Sequence, residues 1–326
     1  MSDNRVITGI QGLDEILQGG FLPGSGVLLE GSPGSGKTNL GLQILYNGIT
    51  QFGEPGLLVS FEEYPEQILR DAANLGMDFR PLIEKGLFRV IQTSPVKLRE
   101  EVVGAGCITQ EEIEDAFSVF QPKRVLIDSV THFKRITTDE VHLREFLLQF
   151  LHFMTGRGAT TFLTREVIYS DNAPISFEEY LVDASLRLYN ISPGSPGGTR
   201  RSIEVRKTRG HGHLSGRHPF DFSSEAGMTI YPHRKPSVQT DDFDPSGALE
   251  RVNTGVRGLD YLMHGGYVKG SSNLLAGTAG AGKTTFALEY IAAGLRAGET
   301  CLLVALNESP RRLEEMLCRM GVDVTT

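Results

Sequence analysis

One segment of this chain is written twice, and the duplication limits what the chain can fold into. Residues 5–51 align without a gap to residues 251–297, at an offset of 246 and with 20 identities in 47 positions. Arg5-Val6-x-Thr8-Gly9-x-x-Gly12-Leu13-Asp14 returns as Arg251-Val252-x-Thr254-Gly255-x-x-Gly258-Leu259-Asp260, and Gly19-Gly20 returns as Gly265-Gly266. After one deletion Gly53-Glu54 answers to Gly298-Glu299, and the match runs on to Gly76 and Gly321. Solenoid repeats are about 20–50 residues long, so this period means a duplicated domain. The first copy is expected over residues 1–235, a linker over 236–249 and a second copy over 250–326. Measured against the first copy, the second lacks roughly 150 residues, so it is expected to hold only the front part of the domain. The linker reading rests on Lys235-Pro236-Ser237, Asp241-Asp242-Phe243-Asp244-Pro245 and Ser246-Gly247, residue types that disfavour both helix and strand.

Within the first copy, short apolar runs alternate with helical patterns. Strands are expected at 26–30, 56–61, 124–128, 159–164, 184–190 and 201–207. Helices are expected at 12–17, 38–50, 65–75, 111–120 and 139–154. The last two strands should form a hairpin around the loop Ser192–Gly198. Uninterrupted apolar strands alternating with helices predict an α/β domain, its mostly parallel sheet covered by helices on both faces. Ligands of such sheets bind at the carboxyl ends of the strands.

The chemistry-bearing motifs fall at those ends. Gly31-Ser32-Pro33-Gly34-Ser35-Gly36-Lys37-Thr38 follows a strand and opens a helix, and Gly277, Gly280, Gly282, Lys283 and Thr284 repeat its pattern. Glycines let the loop curl until its N–H groups converge on phosphate oxygens. The lysine supplies a point charge, and the Thr38 or Thr284 hydroxyl can ligate Mg²⁺. The second copy is thus the P-loop half of a domain. Val125-Leu126-Ile127-Asp128 is an apolar strand ending in a carboxylate, the position of a Walker B aspartate that holds Mg²⁺. Glu62 and Glu63 close the second strand. Alternation points neighbours to opposite faces, so one of them should face the γ-phosphate and orient water, and Glu62 is the favoured one; a helix-start preference for acidic residues is the plainer alternative. The second copy reads Asn307-Glu308 here, and an amide cannot take a proton. Lys207, Arg209, His211 and His213 form a basic cluster that reads either as a solvated hairpin face or as phosphate contacts. Thr164-Arg165-Glu166 reads either as a turn or as a sensor of the γ-phosphate.

Several classes fall away. No run of about 18 apolar residues occurs, so no membrane span is expected. Met1-Ser2-Asp3-Asn4-Arg5 is no secretory signal, and Cys107, Cys301 and Cys318 are too far apart for a disulfide framework or a CxxC knuckle, so a cytoplasmic setting is expected. Lys plus Arg is 32 against 40 Asp plus Glu, a net charge of −8. That balance, with no aromatics interleaved among Arg200, Arg201 and Arg206, argues against nucleic acid as a partner.

Taken in order, these residues resemble the KaiC branch of the RecA-like P-loop ATPases. The resemblance is carried by the Arg5-to-Asp14 pattern, Gly19-Gly20-Phe21-x-Pro23-Gly24-Ser25, the P-loop, Gly53-Glu54-Pro55-Gly56, Val59-Ser60-Phe61-Glu62-Glu63, Ile127-Asp128-Ser129-Val130, Lys207-x-Arg209-Gly210-x-x-His213 and Pro219-Phe220. It covers about 5–235 and the first third of a second domain. It implies a RecA-like fold and a homo-oligomeric ring, usually a hexamer, with ATP and Mg²⁺ held between subunits. Lys37 and Thr38 would hold phosphate and metal with Asp128 nearby, Glu62 and Glu63 match the family's paired catalytic glutamates, and Lys207, Arg209 and His213 match residues that reach the neighbouring subunit's nucleotide. Such proteins act in signalling or regulation through partners the residues do not name, and nothing here points to a clock. Some members autophosphorylate on Ser and Thr late in the second domain, a segment this chain does not contain, so a kinase activity is not carried over. Two other classes fit the same motifs: a recombination ATPase on single-stranded DNA, and a nucleotide-gated scaffold with negligible hydrolysis.

Overall fold

The computed structural model describes residues 5–61, 63–94, 111–135, 139–167, 176–191, 200–224, 226–233 and 250–322. Glu62, Cys107, the Ser192–Gly198 loop and residues 236–249 lie outside the described residues. The chain divides into two compact units, Met1–Pro236 and Ser237–Thr326.

In the first unit the elements run α1 (Leu13–Ile16), β1 (Gly26–Gly31), α2 (Lys37–Phe52), β2 (Gly56–Ser60), α3 (Pro65–Ala73), α4 (Arg80–Glu84), β3 (Phe88–Gln92), α5 (Glu111–Asp115), β4 (Arg124–Asp128), α6 (Glu140–Gly156), β5 (Thr160–Glu166), α7 (Phe177–Leu181), β6 (Ala184–Ile191), β7 (Arg200–Thr208), β8 (Arg217–Ser223) and β9 (Gly227–Ile230). A π-helical turn, Ala116–Phe120, continues α5, so the helix expected over 111–120 changes winding halfway. One nine-stranded sheet has the order β3-β2-β4-β5-β1-β6-β7-β8-β9. From β3 to β6 every pairing is parallel, and from β6 to β9 every pairing is antiparallel. The expected hairpin is present, with Ala184 opposite Thr208 and Ile191 opposite Arg200. Strands β3, β8 and β9 and helices α4 and α7 were not expected from the sequence.

Strand alternation sorts the apolar residues into two cores. Val27, Leu29, Leu58, Leu126, Phe162 and Leu186 pack on the face that carries Leu40, Ile44 and Leu45 of α2. Leu28, Leu57, Val59, Val125, Ile127 and Leu163 pack on the opposite face with Phe146, Phe150 and Met154 of α6. The domain is therefore α/β with a large, mostly parallel sheet flanked by helices, a RecA-like P-loop fold. Its parallel order matters for the site. Strands β1 and β2 are not neighbours, because β4 and β5 stand between them.

The second unit has β10 (Arg251–Val252), α8 (Arg257–Leu262), β11 (Tyr267–Val268), α9 (Lys283–Arg296) and α10 (Pro310–Arg319). The two short strands pair with each other. Leu288 and Ala292 of α9 pack with Leu313 and Leu317 of α10 and with Val322. The two longer strands that the repeat leads one to expect, after Gly270 and after Thr300, do not form among the described residues. In the first unit their counterparts pair only with strands drawn from 88–191, a stretch with no counterpart in 251–322. A strand without a ladder partner leaves its backbone groups to water and gains little by being straight.

Candidate nucleotide site

The loop between β1 and α2 is a phosphate cradle by geometry. Gly36 stands at the start of α2 with φ of 99°, and a Cβ there would lie 2.6 Å from the Phe222 ring. No side chain caps this helix start, so its first N–H groups remain available to an anion. Lys37 is buried, and its ammonium donates to the Ser32 carbonyl of the same loop at 2.9 Å. Burial holds its pKa below the ordinary lysine value, while the charges of Glu166 and then Asp128 pull the other way.

The cleft beside this loop has a volume of about 330 Å³. Lys37, Thr38, Asp128, Glu63, Glu166 and His132 are among its wall residues, together with Arg201 and Phe222. Asp128 closes β4 and accepts from Thr38 Oγ1 at 2.9 Å; the Thr164 hydroxyl of β5 bonds its other oxygen. The Glu166 amide donates to Thr131 Oγ1 at 2.9 Å. Ser60 Oγ donates to the Glu63 carbonyl at 2.9 Å, which fixes the turn that follows β2. Among the described residues no three His, Cys, Asp or Glu side chains gather as a metal cage. A threonine hydroxyl beside one carboxylate is nonetheless the donor set that suits Mg²⁺, which takes one or two protein ligands and fills its octahedron with water and phosphate oxygens.

The sequence leads us to expect the P-loop, Asp128 and one of the pair Glu62 and Glu63 around one nucleotide, with Glu62 favoured; Pro33, Gly34, Gly36, Lys37, Thr38, Asp128 and Glu63 line the cleft, and Glu62 lies outside the described residues. Sequence reasoning assigned no role there to His132, Arg201 or Phe222. Arg201 and Phe222 arrive on β7 and β8, the antiparallel extension, and no local pattern links them to a P-loop more than 150 residues earlier.

Lys207, Arg209 and His213 lie elsewhere. Because β7 runs antiparallel to β6, its end returns to the amino edge of the parallel sheet, with Lys207 opposite Ser185 and Ser185 opposite Leu28. Lys207 Nζ donates to the carbonyls of Glu179 at 2.8 Å and Val182 at 2.6 Å. Arg209 donates to the Tyr180 carbonyl at 3.0 Å and lies 3.6 Å from the Asp183 carboxylate. His213 Nδ1 is 2.9 Å from the Thr208 hydroxyl. Burial, with the nearby Arg209 charge, lowers the Lys207 pKa, and burial lowers that of His213. None of the three lines the P-loop cleft.

The second P-loop keeps the local geometry. Gly280 and Gly282 have positive φ like Gly34 and Gly36, Lys283 donates to the Gly277 and Thr278 carbonyls at 2.7 Å each, and Thr284 donates to Glu308 at 3.1 Å. Within residues 250–322 nothing answers to Asp128, and Gly277 and Gly280 are exposed.

The sequence profile of the KaiC ATPases matches residues 6–235 and again 252–326. Circadian clock oscillator proteins named KaiC are similar over nearly the whole chain. The one from Parathermosynechococcus lividus is 33% identical over 321 residues, 97% of this chain and 58% of the relative. Those from Thermostichus vulcanus and Synechococcus elongatus are each 34% identical, covering 98% of this chain and 61% of the relative. The chain thus spans about three fifths of the length of these relatives. Both copies of the repeat, the P-loop geometry and these matches agree: the chain belongs to the KaiC ATPase family.

Proposed function

We propose that this chain binds ATP with Mg²⁺ and hydrolyses it at the first P-loop, as a homo-oligomer in which each nucleotide lies between two copies. The observation that carries the reading is the contact of Thr38 with Asp128, made beside a buried Lys37 at the carboxyl edge of the sheet. Lys37 and the start of α2 would hold the phosphates, and Thr38 with Asp128 would hold Mg²⁺. The metal supplies charge neutralisation at the β- and γ-oxygens. The carboxylate of Glu62 or Glu63 takes a proton from water while the water oxygen bonds to the γ-phosphorus. The bond from phosphorus to the bridging oxygen breaks, giving ADP and phosphate. Lys207, Arg209 and His213 sit at the opposite edge of the sheet from their own P-loop, which supports their service to a neighbouring copy, as a ring requires. At the second P-loop, Asn307 stands where the first copy has Glu62 and Glu308 where it has Glu63, so if Glu62 is the base the second copy would bind better than it hydrolyses. The homo-oligomer would act on signalling partners.

The Glu62→Gln, Glu63→Gln double variant should keep ATP binding within about twofold and lose about 10²–10⁴-fold in turnover, the range a general base contributes. Turnover is read as phosphate release and binding by a fluorescent ATP analogue. Binding with full turnover in the variant removes the assignment of these carboxylates. Tight binding with no phosphate release from the parent chain points instead to a nucleotide-gated scaffold.

A further inference from the structure

Next to the P-loop, on the face of the sheet away from it, lies a buried set of charges that the reaction does not use. Glu30, the residue before Gly31, is fully buried. Its cross-strand neighbours are Arg165 on β5 and Arg187 on β6. Arg187 donates to one Glu30 oxygen from Nε at 3.1 Å and from a terminal nitrogen at 2.8 Å, and Arg165 lies 2.6 Å from the other. Helix α7 closes over this pair with two buried carboxylates. Glu178 accepts from Arg165 at 2.6 Å. Glu179 accepts from Ser185 Oγ at 3.1 Å and lies 4.0 Å from Arg187. At the far end of α7, Lys207 bonds the carbonyls of Glu179 and Val182.

Three buried carboxylates against two guanidiniums is a costly arrangement for stability alone, since apolar side chains of similar volume usually do as well. The cluster has two other properties. It touches the nucleotide site through β5: Thr164 bonds Asp128 and Glu166 lines the cleft on one face, while Arg165 points to the other. It also ends on Lys207, whose ammonium supplies the third positive charge and takes up the carbonyls that the end of α7 leaves unpaired.

Resting on the reading that Lys207 serves a neighbour's nucleotide, we propose that α7 is a strut that positions this lysine: Glu178 and Glu179 fix α7 to the Glu30–Arg165–Arg187 cluster beside one subunit's P-loop, and the end of α7 fixes the reach of that subunit's Lys207 toward the next. Glu178 is then a positioning residue that acts through Lys207.

The test is a double-mutant cycle on ATP turnover in the full chain with Mg-ATP. Lys207→Ala should lower kcat about 10²-fold or more, as loss of a trans cation does. Glu178→Gln should lower kcat about tenfold with KM within about twofold, the cost of misplacing a group by a fraction of an ångström. The double variant should be no slower than Lys207→Ala alone. Full turnover in Glu178→Gln, or losses that multiply in the double variant, overturns the strut, because a structural role elsewhere would be additive. Full turnover in Lys207→Ala overturns the trans contact itself and the strut with it. If Glu178→Gln does not fold, Arg165→Lys, which keeps the cluster's charge but not its forked reach, enters the same cycle with the same expected outcomes.

Discussion

Leu28, Leu57 and Val59 are completely buried in the first unit; their counterparts Leu274, Leu302 and Val304, identical in type, are 95%, 85% and 74% exposed in the second. The N-terminal motif of the same repeat behaves in the opposite way. Asp14 accepts from Thr8 N at 2.8 Å and Thr8 Oγ1 at 2.9 Å, and Asp260 accepts from Thr254 N at 2.8 Å and Thr254 Oγ1 at 2.7 Å. Val6 pairs with Phe21, and Val252 with Tyr267. Contacts between residues about 15 apart or fewer are therefore rebuilt in both copies. The strands are not, because their partners are distant in sequence. The loss is also one-sided. Leu275 and Leu303, which answer to Leu29 and Leu58 on the α2 face, are only 43% and 39% exposed; the helix answering to α2 is present in the second unit, while no counterpart of α6 occurs in residues 251–322. A P-loop sequence thus carries its own loop and helix but not its own sheet.

The largest expected difference is in hydrogen exchange. Amides of Val27 to Leu29, bonded into ladders on both sides, should exchange only through near-global opening, slower than free amides by at least about 10⁴-fold. Amides of Asn273 to Leu275 should exchange within about tenfold of a free peptide. Equal protection in the two stretches breaks the comparison, and would mean that the second unit finds ladder partners in solution.

Nucleotide binding should follow the same division with a smaller ratio. The first P-loop has Asp128, Glu166 and a buried lysine around it, whereas the second has Glu308 and solvent. Lys37→Ala should weaken binding of a fluorescent ATP analogue about 100-fold, about 2.8 kcal/mol at 1.4 kcal/mol per factor of ten. Lys283→Ala should change the measured affinity by less than about threefold. Comparable losses from both variants would show that a loop and a helix suffice without the sheet.

This division also marks what could be read from the sequence. The six strands read from apolar runs all exist in the first unit, and helix α2 was expected within two residues of its observed ends. Those elements have strong local patterns. Strand β8 was not, because Arg217-His218-Pro219-Phe220-Asp221-Phe222 alternates polar with apolar residues yet carries a proline and two histidine-and-arginine positions that read as a loop. Its pairing with β7 over residues 202–204 and with β9 over residues 227–230 is what makes a strand of it. The P-loop and Asp128 were legible because each closes a strand or opens a helix, and the Glu62–Glu63 pair stood out because it follows the apolar run of β2. His132 and Phe222 were not legible, since their place on the cleft depends on how distant segments meet. The two strands expected in the second unit failed for the converse reason. Their pattern is as strong as in the first copy, but pattern only states a preference, and pairing decides.

The finest test compares one glycine in each copy. Gly48 and Gly294 occupy the same place in α2 and α9, and ordinary helix propensity favours alanine over glycine by about 1 kcal/mol. In the first unit Arg124 rises from the start of β4 and lies against Gly48. It is buried, donates to Glu54 at 2.6 Å and to the Ile44 carbonyl at 3.0 Å, and a Cβ on residue 48 would sit 2.5 Å from its Nε. That neighbour cannot retreat without giving up its bonds to Glu54 and the Ile44 carbonyl from a buried guanidinium, so Gly48→Ala should destabilise the first unit by about 2 kcal/mol, in the range for overpacking. In the second unit a Cβ on residue 294 would crowd Cys301 Sγ, at 2.7 Å, with Glu299 at 3.4 Å, both on a segment that no strand holds among the described residues. Gly294→Ala should therefore be neutral or stabilising by up to about 1 kcal/mol. Denaturant midpoints followed by probes in each unit separate the two values. A destabilisation of similar size at residue 294 would mean that the second unit packs around its glycine as tightly as the first does around Arg124.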